Sequence, residues 1–127
     1  MAKSITLNSA TSFKATDNGL SKILFDFQKD FTMTIGSESV QYGEVTIPTT
    51  ALITLNLASP GSGYFLYVEN IEDEDDSQVQ VFYGSTSFST LKEGEFLFVK
   101  LRTGEDIKLR LNTDEGQATC KYFLIEF

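Results

Sequence analysis

Ile107 to Asn112 reads Ile-Lys-Leu-Arg-Leu-Asn, with Ile107, Leu109 and Leu111 on one side of an extended chain and Lys108, Arg110 and Asn112 on the other. A period of two belongs to a β-strand with one buried face, because successive side chains point to opposite sides of the pleat. The same alternation spreads outward through most of the chain. Ile23, Phe25 and Phe27 share a face, and Phe31, Met33 and Ile35 resume it after a turn or bulge expected at Lys29-Asp30. Residues 40–47 read as a strand bent at Gly43, and Pro48 bars its continuation as a central strand. Ala51, Ile53, Leu55 and Leu57 alternate inward.

The second half is more regular. Residues 64–70 (YFLYVEN) are apolar on both faces, as expected of a central strand, and residues 78–83 set Val79, Val81 and Tyr83 together. Residues 96–101 (FLFVKL) and 119–127 (TCKYFLIEF) complete the set. Gly and Pro clusters punctuate it, most strongly at Ser59-Pro60-Gly61-Ser62-Gly63. The acidic run from Glu72 to Asp76 reads as a hairpin loop between the strands that flank it. At the amino end, Ser4 to Leu7 suit a short edge strand, and Ser9 to Gly19, rich in Ser, Thr and Asn, read as loop.

No dozen-residue stretch places apolar residues at helical spacing. The expected fold is therefore all-β: an antiparallel two-sheet β-sandwich, jelly-roll-like, of about eight to ten strands. Residues 1–127 are expected to form a single domain, with 1–20 an extended or edge-strand arm.

Composition narrows the chemistry. The chain has no histidine, so Ser-His-Asp and Cys-His arrangements cannot be built within it. A single cysteine, Cys120, makes neither an internal disulfide nor a zinc site, and reads as a buried thiol. Neither a dinucleotide fingerprint nor a phosphate-binding loop is present. A carboxylate pair (Asp26 with Glu69, or Glu44 with Glu126) would need a register that brings both together. These readings point away from an enzyme, with no cofactor expected. Glu72, Asp73, Asp75 and Asp76 are the weak calcium candidates, since clustered carboxylates supply oxygen ligands, but the EF-hand spacing is absent.

Eighteen acidic against ten basic residues give a formal charge of −8, which repels phosphate backbones and makes nucleic acid an unexpected direct partner. No window approaches the roughly 20 apolar residues of a membrane helix, and MAKSITLNSA lacks a signal-peptide core. Eleven phenylalanines outnumber five tyrosines, and tryptophan is absent, which favours core filling over a sugar platform. A glycan- or receptor-binding module stays open as the alternative, through tyrosines such as Tyr42, Tyr64, Tyr67 and Tyr83. The apolar closing segment is expected to be tied into the sheet, or else completed by a neighbouring subunit, with Tyr122, Leu124 and Phe127 as interface candidates.

The run YFLYVEN-IEDEDD-SQVQVFYG, then LKEGEFLFVKL, IKLRLNT and KYFLIEF, resembles small β-sandwich structural proteins in the virions of tailed bacteriophages. The positions that carry the likeness are Asn70, Val79, Val81, Leu91, Gly94, Glu95, Phe96 and Glu126. The resemblance implies a non-enzymatic virion component made in the host cytoplasm, most naturally a capsid decoration on the outer surface. A head- or tail-associated role is the variant. It implies contacts with the major capsid protein or other virion proteins, and a homo-oligomer.

Overall fold

The computed structural model describes residues 3–37, 40–48, 51–55, 63–72, 78–102, 105–112 and 116–126. Among the described residues ten strands form three antiparallel sheets, and the chain divides into two compact units, Met1–Ser37 and Glu38–Phe127.

The first unit is one long hairpin of β1 (Lys3–Asp17) and β2 (Lys22–Ser37). The loop expected over Ser9 to Gly19 is instead strand as far as Asp17, and Lys29-Asp30 is not a turn: both residues stay in β2, opposite Thr11 and Ala10. The irregularity lies elsewhere, between Ala15 and Thr16, where the register steps from Phe25 to Ile23 and leaves Leu24 as an extra residue. Asp17 closes the tip by accepting the Gly19 and Leu20 amides on Oδ1 at 3.0 and 3.2 Å. Ser21 takes a left-handed φ of 51° to turn the chain back.

The second unit holds β3 (Val40–Pro48), β4 (Leu52–Thr54), β5 (Gly63–Asn70), β6 (Val79–Tyr83), β7 (Thr86–Leu91), β8 (Phe96–Arg102), β9 (Ile107–Leu111) and β10 (Gln117–Glu126). One sheet has the order β3-β10-β5-β8 and the other β4-β9-β6-β7. The pairs nest: β3 with β10, β4 with β9, β5 with β8 and β6 with β7. An eight-stranded hairpin rolled into two sheets gives this order, which is the jelly roll. Rolling also corrects one reading. Because β5 and β6 belong to different sheets, the segment read as a hairpin loop joins two layers; Glu72 lies on it, and Asp73 to Asp76 lie outside the described residues.

The core forms where the inward sets of both sheets meet. Ile47, Leu66, Val68, Leu124 and Cys120 from one sheet pack with Val79, Val81, Ile107 and Leu109 from the other, all essentially without solvent exposure. Asn70 is the buried polar residue among the described ones. Its Nδ2 donates to the Leu91 carbonyl at 3.1 Å, and its Oδ1 accepts the Glu72 amide at 3.0 Å. Its backbone N–H donates to the Glu95 carbonyl and its carbonyl accepts the Gly94 amide, so this one residue fastens the end of β5 to the turn before β8. Gly94 sits at φ 78° in that turn, where a side chain would be strained.

Cys120 is fully buried, and desolvation pushes its thiol from 9.0 up to about 12. The unfolded thiol loses its proton from about pH 9 while the folded one keeps it to about 12, so stability falls with rising pH across that interval. Cys120→Ala is expected to flatten the fall, measured as urea midpoints at stepped alkaline pH. The native thiol should resist a disulfide reagent until the chain unfolds.

Candidate interaction surfaces

Within the hairpin, direct cross-strand pairing sorts side chains by chemistry. Leu7 faces Met33, Ser9 faces Phe31, Thr11 faces Lys29, Phe13 faces Phe27 and Ala15 faces Phe25, and period-two alternation puts these pairs on one side. The intervening pairs are Thr6–Thr34, Asn8–Thr32, Ala10–Asp30, Ser12–Gln28 and Lys14–Asp26. They form a polar side laced by hydroxyl and amide contacts, such as Thr32 Oγ1 to Asn8 Oδ1 at 3.0 Å. The apolar side ends in an aromatic cluster: the Phe27 ring lies 5.5 Å from Phe13 and 5.6 Å from Phe25. These three rings remain 49%, 47% and 56% exposed at Phe13, Phe25 and Phe27, respectively. Half-exposed phenylalanines in adjacent pairs make a contiguous apolar patch, the kind of surface that marks an interaction site.

The jelly roll carries a second patch on the outer face of its β3-β10-β5-β8 sheet. Register aligns Tyr42, Phe123, Tyr67 and Phe98 in one row across all four strands. The next row holds Val40, Ile125, Phe65 and Lys100, with the Lys100 ammonium 5.8 Å from the Phe65 ring centre. On the other side the row is Glu44, Lys121, Glu69 and Phe96, which sets a lysine between two carboxylates. Tyr67 and Phe123 stack at 5.4 Å with planes only 5° apart. Rings stacked in this way turn their faces to one another and their edges outward.

A groove of about 530 Å³ opens beside the row, between Tyr42, Glu44, Lys121 and Phe123, where Gly43 contributes no side chain. Tyr42 stands 77% exposed on its rim. The Tyr67 hydroxyl donates to Glu69 Oε1 at 2.6 Å. Desolvation, helped by that bond and the Glu69 charge, holds the phenol up at about 12.

The structure redistributes the candidates read from sequence. Leu124 is fully buried in the sandwich core, and Tyr122 is half-buried against it while its hydroxyl accepts from Gln41 Nε2 at 3.0 Å. β10 is flanked by β3 and β5 instead of lying at an edge. Phe127 lies outside the described residues. Glu72 is half-buried on the link after β5, while Asp73, Asp75 and Asp76 lie outside the described residues. Glu44 pairs with Lys121 midway along β10, and Glu126 faces Tyr64 at its end, on the opposite side of the sheet, so the two carboxylates do not meet. Asp26 sits on the polar side of the hairpin opposite Lys14, and Glu69 holds the Tyr67 hydroxyl.

Both patches escaped sequence reading for one reason. A row across strands depends on register, which links residues far apart in the chain. Comparison with family models, with curated proteins and with solved structures finds no match.

Proposed function

We propose that this chain is a non-enzymatic structural protein of a tailed-phage virion, decorating the capsid and working through protein–protein contacts. The observation that carries the assembly reading is the apolar side of the hairpin, where Phe13, Phe25 and Phe27 stand half in water. A lone two-stranded ribbon is marginal in water, and such a surface is stabilised by being covered. The jelly roll gives support at the level of fold analogy, since viral capsid and lectin domains both use it. The virion assignment itself leans on the resemblance of the strand-and-turn pattern from Tyr64 onward. The mechanism is physical: buried apolar area holds the contact, and the acidic body selects against acidic or phosphate-bearing neighbours.

A glycan-binding module would also place tyrosines beside polar groups in a shallow groove, as Tyr42, Glu44 and Lys121 are placed. Stacking weighs against it, because Tyr67 and Phe123 spend ring faces on each other that a sugar would need. Light scattering on the pure chain, followed by labelled-antibody imaging of intact tailed particles from the lysate in which it is made, tests the proposal. Regular labelling of the heads is the expected result, and labelling of tails would move the site without changing the class. A monomer that binds glycans and is absent from particles would overturn it.

A further inference from the structure

We propose that Asn18, at the tip of the β1–β2 hairpin, is a self-modifying residue: it deamidates to aspartate and isoaspartate through the backbone nitrogen of Gly19, at a rate held down by the Asp17 carboxylate. The inference is independent of the assembly reading above.

Sequence singles out the position. Asparagine is a thermolabile residue, and its side-chain amide is lost when the next backbone nitrogen can reach it. Asn18 is followed by glycine, which puts no side chain in the way. Asn8, Asn56, Asn70 and Asn112 precede Ser, Leu, Ile and Thr, whose side chains crowd that nitrogen. Asn8 and Asn70 also lie within strands, whereas Asn18 occupies the turn between Asp17 and Lys22. The reacting atoms belong to neighbouring residues of one turn, so the chemistry needs nothing from any other element.

The step uses water and hydroxide alone. Hydroxide takes the Gly19 amide proton, and the nitrogen adds to Cγ of Asn18. The Cγ–Nδ2 bond then breaks, and ammonia leaves with a proton from water, closing a cyclic imide. Water opens the ring at Cγ to give aspartate, or at the main-chain carbonyl carbon to give isoaspartate, which carries an extra methylene in the backbone.

Geometry sets the rate. The Gly19 N–H, whose proton must be lost, donates to Asp17 Oδ1 at 3.0 Å, and the same oxygen accepts the Leu20 amide at 3.2 Å. A carboxylate on that N–H stabilises the protonated amide, and its charge opposes the anion that attacks. Both products place a second carboxylate beside Asp17, and isoaspartate also lengthens the span that Oδ1 bridges. The modification therefore loosens the turn that Ser21 closes with its left-handed φ of 51°.

Peptide mapping by tandem mass spectrometry, on full chain held at physiological temperature in mildly alkaline buffer, should show a gain of about 1 Da at Asn18 before any other asparagine. Gly19→Ala should abolish that gain without strain. Gly19 lies outside the left-handed region, and an added Cβ would meet Asp17 Oδ1 at 3.4 Å, an ordinary contact. Asp17→Ala should quicken the gain about tenfold, as expected for loss of one charge-assisted hydrogen bond. Asp17→Ser, whose hydroxyl can still accept the amide two residues on, should fall between the two. An Asn18 that stays intact while another asparagine reacts, or a Gly19→Ala chain that reacts as fast as the native one, overturns the site. An Asp17→Ala chain that reacts at the native rate overturns the control assigned to Asp17.

Discussion

Leu109→Ala lowers the stability of the jelly roll by about 2–5 kcal/mol, a large share of the roughly 5–15 kcal/mol that holds a typical domain. Leu109 is fully buried on β9, directly opposite Ile53 of β4 and Val81 of β6, with Ile107 and Leu111 on the same side of its own strand. Truncation removes buried methyl groups from a layer fixed by hydrogen bonds on both flanks, so the neighbours cannot collapse into the space and a cavity persists. The urea midpoint should fall while the slope of the transition stays constant, because the surface exposed on unfolding hardly changes. Arg110→Ala is the neighbouring control. Its guanidinium is solvent-exposed, 5.1 Å from the Phe82 ring centre and bonded to Gln80 at 3.0 Å, and it should cost no more than about 1 kcal/mol.

A chain shortened to residues 38–127 should still unfold in one cooperative step and lose the association proposed above for the full chain. Every member of the buried core cluster lies between Ile47 and Leu124, so the shortened chain keeps the whole cluster. A separate peptide of residues 1–37 should show little stable structure when dilute, because two strands with one apolar side lack a layer to pack on. Circular dichroism on heating, with light scattering at matched concentrations, checks both halves. Loss of cooperative unfolding in 38–127 would mean that the hairpin supplies core that the contact pattern does not assign to it.

The sandwich was legible because its inward positions carry Val, Ile and Leu against charged neighbours, as in Ile107, Leu109 and Leu111 between Lys108 and Arg110. β5 was legible for the opposite reason: Tyr64 to Val68 are apolar on both faces, and the strand is paired on both sides. β1 was misread because Ser9 and Thr11 stand at positions where an inward strand usually shows large apolar groups. Small hydroxyl residues are tolerated there because Phe31 and the Lys29 stem face them from β2. Lys29-Asp30 looked like a turn by composition, yet it continues a strand whose pairing is fixed by its partner rather than by its own propensity. The closing segment with Tyr122 and Leu124 was legible as tied into the sheet, but its apolar character left open a strand completed by a neighbouring subunit. Chain position says nothing about sheet position, and rolling the long hairpin places β10 between β3 and β5. The aromatic row from Tyr42 to Phe98 was beyond reach for the same physical reason, since four strands distant in sequence contribute one ring each.

Hydrogen exchange of the backbone amides, read residue by residue in the dilute chain and again in the assembled state, addresses the hairpin's role most directly. Amides of β5, β9 and β10 should be strongly protected in both, because they sit in the paired interior of the sheets. Amides of β1 and β2 should exchange quickly when the chain is dilute and become protected on assembly. Hairpin amides as protected in the dilute monomer as those of β5, or unchanged between the two states, would contradict the proposal that this protein assembles through the hairpin.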